Sequence, residues 1–324
     1  MKAVLLNPRA GGGRAGRKAR LLLEKNPLPP GTALAVPESL EALKKTLGEL
    51  AAQGLERLVV VGGDGTFHRV VNALEDLGAL SRVTLGLVPA GTGSDLARVL
   101  ALPRRLGEAL EVALYAPPVR LDAGELRSSW RRVLFANVAS FGISGLVDAR
   151  VNANPRRGAW AFLAATLAAA REYRPVPCRV VADGEEVFVG EPLVVACANG
   201  QSFGKGMRIA PHAVLDDGFF DVVAVRHVGW WKLVGKLPRV YLGRHLSLPQ
   251  VTWRRAREIK LEPLAASPPF DVDGECYPSG PATFSVLPGK LAVAAPRALS
   301  LNILAREDGV SPVSAPKAWL RTFA

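Results

Sequence analysis

A chain of 324 residues, 49% of them hydrophobic, is long enough to bury the cores of two ordinary domains without metal or disulfide staples. With 41 Lys and Arg against 29 Asp and Glu its formal charge is +12, a field that attracts phosphates, nucleic acid or anionic membrane without choosing among them. Three cysteines far apart (Cys178, Cys197, Cys276), with no CxxC pair, argue against a disulfide framework and suit a reducing cytoplasm, while 6% aromatics and no RNP-like or helix-turn-helix pattern argue against a nucleic-acid module.

The opening MKAVLLNPRAGGG carries a short apolar run that stops at Asn7-Pro8, and reads as a strand and turn instead of a signal peptide. Strands are predicted at Lys2 to Leu6, Leu58 to Val61 and Thr84 to Val88, with Ala/Leu-rich helical stretches between them. Each strand empties into glycine: Gly11-Gly12-Gly13, then Gly62-Gly63, then Gly91 and Gly93. This is the pattern of a parallel sheet wrapped by helices, whose ligands bind outside the carboxyl ends of the strands, so the three loops are expected to converge on one crevice.

After about Arg120 the pattern becomes β-rich. Segments Arg132 to Ala139, Cys178 to Ala182, Pro192 to Ala198 and Phe219 to Val225 are separated by turns at Asp183-Gly184, Asn199-Gly200 and Asp217-Gly218, as in a mostly antiparallel second domain. Helices are predicted at Trp160 to Glu172 and Trp230 to Leu242, and further strands at Lys260 to Leu264, Ala282 to Leu287 and Leu291 to Ala294. Leu299 to Ala305 is expected to pack back onto the first domain. The expected architecture is an α/β nucleotide-binding domain (1–120, joined by about 296–324) and a β-rich acceptor domain (121–295), with the active site in the cleft. The longest apolar stretch, Gly158 to Ala170, falls short of the ~20 residues a membrane-spanning helix needs.

The densest motif is Val59-Val60-Val61-Gly62-Gly63-Asp64-Gly65-Thr66, a buried strand ending in glycines around one carboxylate. Adjacent glycines let the backbone approach a phosphate chain, and a helix starting near Phe67 adds its N-terminal N–H groups. Asp64 beside bound phosphates calls for a cation: it reaches Mg²⁺ through water or orients the attacking hydroxyl. Further on, Asp271, Asp273 and Glu275 stand at every second position; extended, they share a face and one titrates high, whereas a turn at Gly274 separates them.

The Gly62-Gly63-Asp64-Gly65-Thr66 loop resembles the signature of the diacylglycerol kinase and sphingosine kinase family, and a similar loop occurs in NAD kinases and phosphofructokinases. Four further motifs favour the lipid kinases. Asn7-Pro8-Arg9-Ala10-Gly11 is similar to the family's NPxSG element, with Ala10 in the Ser place. Pro89 to Arg98 is similar to its P-x-GTxND segment, with Ser94 in the Asn place. Leu215 to Asp221 resembles its DDG turn, and Asp273-Gly274-Glu275 its DGE motif.

By this resemblance Asn7, Pro8, Arg9, Ala10, Gly11, Gly62, Gly63, Asp64, Gly65, Thr66, Phe67, His68 and Thr92 bind ATP, and Asp64 and Asp95 belong to a magnesium and water network. Glu275 is implied as the general base, with Asp273 beside it and Asp64 as the alternative base. Asp217, with the carbonyls of Val214 and Phe219, is implied to hold a structural Mg²⁺. The implied reaction is phosphorylation of a lipid hydroxyl, diacylglycerol first, with a sphingoid or other lipid as alternative.

Two rivals remain. Gly11 to Gly16 satisfies GxGxxG after a strand, the mark of a dinucleotide-binding oxidoreductase, and NAD kinase shares the GGDG chemistry with a different acceptor. The four histidines, His68, His212, His227 and His245, have no metal-ligand spacing and read as ordinary polar residues. Trp230-Trp231-Lys232 and Lys236 to Arg244 place aromatics beside cations in one helix, suited to an anionic membrane surface or to a half-buried helix with snorkelling cations. A cytoplasmic, peripherally membrane-associated enzyme is expected, and a homodimer is left open.

Overall fold

Residues 1–91, 93–153 and 159–296 are described in a computed structural model. The first domain comprises β1 (Lys2–Leu6), α1 (Arg14–Lys25), β2 (Thr32–Ala35), α2 (Leu40–Ala52), β3 (Arg57–Gly62), α3 (Asp64–Asp76), β4 (Thr84–Pro89), α4 (Asp95–Val99) and α5 (Leu106–Tyr115). Its four strands are parallel in the order β2-β1-β3-β4. Both faces are covered, which is why β1, β3 and β4 read as unbroken apolar runs instead of alternating. Leu47, Phe67, Val70 and Leu74 of α2 and α3 fill one face, and Ala19, Leu23, Ala109 and Ala113 of α1 and α5 the other. Ser39 caps α2 by accepting the Ala42 N–H at 3.1 Å.

The chain continues through β5 (Pro118–Ser128), β6 (Arg132–Phe135), β7 (Val138–Gly142), α6 (Ile143–Ala153) and α7 (Ala159–Glu172). There follow β8 (Cys178–Ala182), β9 (Glu185–Gly190), β10 (Pro192–Ala198), β11 (Phe220–Arg226), α8 (Trp230–Tyr241) and β12 (Val251–Ala256). The last described strands are β13 (Glu258–Pro263), β14 (Phe270–Val272), β15 (Glu275–Tyr277) and β16 (Ala282–Ala294). An antiparallel sheet, β12-β11-β10-β7-β14-β15, packs against the antiparallel half of the first sheet, where β16, β13, β8 and β9 extend the parallel strands. Phe135, Phe141, Phe220, Phe270 and Phe284 meet in the sandwich core, with ring centroids 5.5–5.8 Å apart in the pairs Phe135–Phe220, Phe141–Phe270 and Phe270–Phe284.

Three features differ from the sequence reading. Arg132 to Ala139 is not one strand: β6 pairs with β5 in one sheet and β7 with β10 in the other, so the chain changes sheets at Ala136-Asn137. The two segments expected within 282–294 are one strand, β16, shifted in register between Leu287 and Leu291 around Gly289, whose φ is 58°. Residue 120, the expected domain boundary, falls inside β5, and β16 pairs with both β4 and β5. The two domains therefore share a continuous sheet.

Helix α3 begins at Asp64, three residues earlier than expected. Leu299 to Ala305 lies outside the described residues, among which no helix is long and apolar enough to cross a membrane. Cys178 and Cys197 are buried free thiols, and Cys276 is an exposed one.

Candidate active site

The carboxyl ends of β1, β3 and β4 meet in one crevice. After β1, Asn7 accepts the Arg9 N–H on Oδ1 at 2.9 Å and donates from Nδ2 to Thr66 Oγ1 at 2.8 Å, tying the first loop to the second. Gly11, Gly12 and Gly13 all have positive φ (57°, 68° and 85°) and turn the chain into α1. The second and third loops cross backbone against backbone: a Cβ added to Gly91 would lie 2.6 Å from Gly63 Cα. Only two glycines permit that approach, and it holds open the front of α3, where Thr66 and Phe67 N–H groups donate back to Gly63 O and those ahead of them have no helical partner.

Asp64 is half-buried at that helix start, with its Oδ1 shielded from solvent. Its Oδ2 accepts the Asp95 N–H at 2.9 Å, and its Oδ1 has no hydrogen-bond partner. Burial, with the Asp95 carboxylate and then Asp273 adding repulsion, pushes its pKa up to about 7. Burial also raises Asp95, offset by the Lys205 N–H at 2.7 Å on Oδ2 and by Arg98 on Oδ1. Asp95 is thus satisfied by the chain, while Asp64 presents one bare buried oxygen. That atom fits a hard divalent cation, which prefers oxygen donors and completes its shell with water and phosphate. Ser94, between the loops, sits in the left-handed region at φ 52°, ψ 41°, a conformation that Asn adopts more easily than Ser.

The acceptor domain brings the hairpin β14-β15 over this crevice. Val272 pairs with Glu275, and Asp273 (φ 52°) and Gly274 (φ 84°) form the two-residue turn between them. The turn separates the three acids. Asp273 accepts three backbone N–H groups, from Ala136 at 2.8 Å, Asn137 at 3.0 Å and Val138 at 3.1 Å, and so holds the point where the chain changes sheets. Asp271 turns inward, where burial first and the neighbouring Asp148 second raise it well above the usual carboxylate range; Asp148 is raised by burial, and the two are hydrogen-bonded. Two neighbouring buried carboxyls each disfavour ionisation of the other. Glu275 reaches the first turn of α3 instead: Oε2 accepts from Arg69 Nη2 at 2.9 Å, and Oε1 comes within 2.4 Å of where a Cβ on Gly65 would be.

His68, expected as an ordinary polar residue beside the nucleotide loop, makes specific contacts to the hairpin. It is buried between the domains, with Nε2 2.7 Å from the Tyr277 hydroxyl and Nδ1 3.5 Å from Asp273 Oδ2, and Trp130 stacks on Tyr277 at 5.5 Å. It fastens the hairpin to α3.

One cavity of about 500 Å³ joins these parts. At one end it is lined by Asn7, Arg9, Ala10, Gly11, Gly63, Asp64, Gly65, Thr66 and Asp95; Glu275, Gly274 and Asp273 stand at its waist. Beyond them lies an apolar chamber bounded by Ile143, Val147, Leu193, Ile209, Val225 and Val240. Of the other residues predicted to touch nucleotide, Pro8 and Gly62 shape the loops without lining the cavity, Phe67 points into the first domain's core, and His68 faces the hairpin. The side chains of Phe67 and His68 are committed to these contacts. Thr92 lies outside the described residues.

The residues of the implied structural metal site, Asp217, Val214 and Phe219, do not line this cavity. Asp217 Oδ1 accepts the Phe219 N–H at 3.1 Å and Oδ2 pairs with Arg255. The turn is held by Asp122, which accepts N–H groups from Gly218 at 2.7 Å and Gly289 at 2.8 Å. Sequence reasoning missed Asp122, Asp148 and Arg69, because none stands in a motif and each gains its partner across more than 70 residues.

An α/β domain whose glycine loops frame an anion site, covered by a β-sandwich that delivers a carboxylate to it, defines a two-domain kinase. Residues 2–126 match the diacylglycerol kinase catalytic domain, and residues 137–295 the YegS C-terminal NAD kinase beta sandwich-like domain. A diacylglycerol kinase of Mycobacterium tuberculosis (strain H37Rv) is 32% identical over 260 residues, covering 78% of this chain and 80% of the relative. A YegS-like lipid kinase of Chromohalobacter salexigens is 32% identical over 263 residues, with the same coverage. The crystal structure of a diacylglycerol kinase from Bacillus anthracis superposes with a TM-score of 0.71 at 23% identity, covering 92% of this chain and 98% of the other, which shows the shared fold. The chain belongs to the diacylglycerol kinase family of lipid kinases.

Proposed function

We propose that the protein transfers the γ-phosphoryl group of ATP to a lipid hydroxyl, with diacylglycerol as the acceptor. The observation that carries this reading is the single cavity running from the glycine loops, past Glu275, into an apolar chamber. An acyl chain suits the apolar surface that Ile143, Val147 and Val225 present there better than the ribose and phosphate of a dinucleotide acceptor would.

Asn7 to Gly11, Gly63 to Thr66 and the start of α3 would hold the phosphates of ATP through backbone N–H groups. Asp64, whose Oδ1 has no partner, would hold Mg²⁺, which would supply charge neutralisation on the phosphates. The lipid hydroxyl lies against Glu275 with its chain in the apolar chamber. As its oxygen forms a bond to the γ-phosphorus, the bridging bond to the β-phosphate breaks, ADP leaves with the electron pair, and Glu275 takes the hydroxyl proton. Asp273 anchors the turn and is not the base, since its oxygens are spent on three N–H groups.

Access to lipid follows from α8, whose Lys236, Leu237 and Val240 line the cavity while Arg239, Tyr241, Leu242 and Arg244 are exposed. Cations beside apolar side chains at a cavity mouth fit peripheral contact with an anionic membrane surface. The test is phosphate transfer from γ-labelled ATP across diacylglycerol, monoacylglycerol, sphingosine and NAD, in mixed micelles with Mg²⁺. Label in diacylglycerol is expected. Label in NAD with none in any lipid would overturn the reading.

A further inference from the structure

Glu275 occupies an unusual place for a base. Its carboxylate lies at the N-terminal turn of α3, against Gly65, in the same opening that the glycine loops keep for phosphate. A Cβ on Gly65 would lie 2.4 Å from Glu275 Oε1, so the glycine that frees the helix start for an anion also admits this carboxylate. A γ-phosphate arriving there meets a like charge, with Asp64 and Asp273 close behind. Two anions share such a site only with a cation between them.

Arg69 is placed to be that cation. It stands four residues after Gly65 in α3, hence directly over it, and helical side chains lean toward the helix N-terminus. Its guanidinium donates to Glu275 Oε2 at 2.9 Å and lines the cavity, with the side chain still 51% exposed. The planar group has five donors, and among the described residues Glu275 alone engages it. Other cations line the cavity (Arg9, Lys205 and Lys236), and Arg69 is the one whose pairing with Glu275 is seen at 2.9 Å.

We infer that Arg69 is a catalytic residue that holds the transferring phosphoryl group while paired with Glu275, so that base and phosphate occupy one helix N-terminus together. The inference rests on the ATP-dependent reading above and concerns only the γ-phosphate. It therefore distinguishes ATP from ADP, which an ion pair serving the fold alone would not do.

The experiment is calorimetric binding of MgATP and MgADP, without lipid, to the wild-type chain and to Arg69→Gln, Arg69→Lys and Glu275→Gln. Arg69→Gln is expected to weaken MgATP about 10- to 100-fold, the loss of charge-assisted hydrogen bonds, and to leave MgADP within about twofold. Arg69→Lys, keeping charge without the fork, should recover part of the loss. Glu275→Gln is expected to tighten MgATP, because it removes the competing anion. The inference is overturned if Arg69→Gln shifts ATP and ADP equally or shifts neither, or if Glu275→Gln fails to tighten ATP. A Gln variant that does not fold leaves Arg69→Lys and Glu275→Gln to decide. Wild-type protein that binds no ATP would sink the ATP-dependent reading itself, an outcome distinct from failure of Arg69.

Discussion

The two ends of the cavity are built on different principles. The phosphate end is made of backbone: three glycine loops at the tips of adjacent parallel strands, with Gly63 packed on Gly91 and a helix start left open. The acceptor end is made of side chains from α6, α8, β10 and β11, elements more than 80 residues apart at their extremes. The first can be altered by removing a charge or filling a glycine, the second by changing volume. A kinase needs both, because a phosphate chain is recognised by fixed N–H dipoles and a lipid by the area it buries.

The largest effect is expected where the two ends meet. Glu275→Gln should lower kcat about 10²- to 10⁴-fold, the usual contribution of positioned proton transfer, without raising KM for ATP. Asp273→Asn, two residues away, should act through the fold: a neutral amide with one acceptor oxygen replaces a carboxylate holding three N–H groups, a loss of roughly 1.5–3 kcal/mol visible as a lower Tm. A Glu275→Gln enzyme with near-normal kcat would move the base to Asp64.

Asp64→Asn sharpens the comparison from the phosphate end. It should remove most activity while stabilising the nucleotide-free protein above neutrality. Asp64 is raised to about 7 from an unfolded value near 3.8, so its contribution is complete below 3.8 and is lost as pH rises through about 7. The wild-type chain should accordingly melt lower at pH 8 than at pH 6, and the Asn variant should show a smaller difference. An unchanged difference would mean that Asp64 is ionised throughout. Adding Mg²⁺ with nucleotide should release a proton from Asp64 near pH 7, measurable as buffer-dependent heat.

At the apolar end, Val147→Trp should raise KM for lipid about tenfold or more by filling the chamber, with MgATP affinity unchanged. Equal loss of both would show that the two ends are not separable. The smallest effect concerns Ser94, held at φ 52° between the loops. Ser94→Asn should raise Tm by roughly 1–3 °C, since Asn tolerates the left-handed region, and activity should survive. A fall in Tm would assign the position to the Ser94 hydroxyl, which donates to Gly91 O at 3.3 Å.

Local chemistry was legible in the sequence. Strands β1, β3 and β4 were marked by buried apolar runs, the phosphate loops by dense glycine, and the Asp273-Gly274 turn by a residue pair that accepts positive φ. Lys2–Leu6 was found to the residue, while β2, whose Thr32–Ala35 run is short and half-exposed, gave no signal. What a carboxylate does was not legible. Asp95, Asp217 and Asp273 stand in motifs as plausible as that of Asp64, yet Lys205, Arg255 and the N–H groups of residues 136–138 satisfy them from distant parts of the chain. Backbone preference acts between neighbours and is written in their order. The partner of a buried charge is chosen by packing, and only the tertiary structure left Asp64 with a bare oxygen and put Arg69 against Glu275.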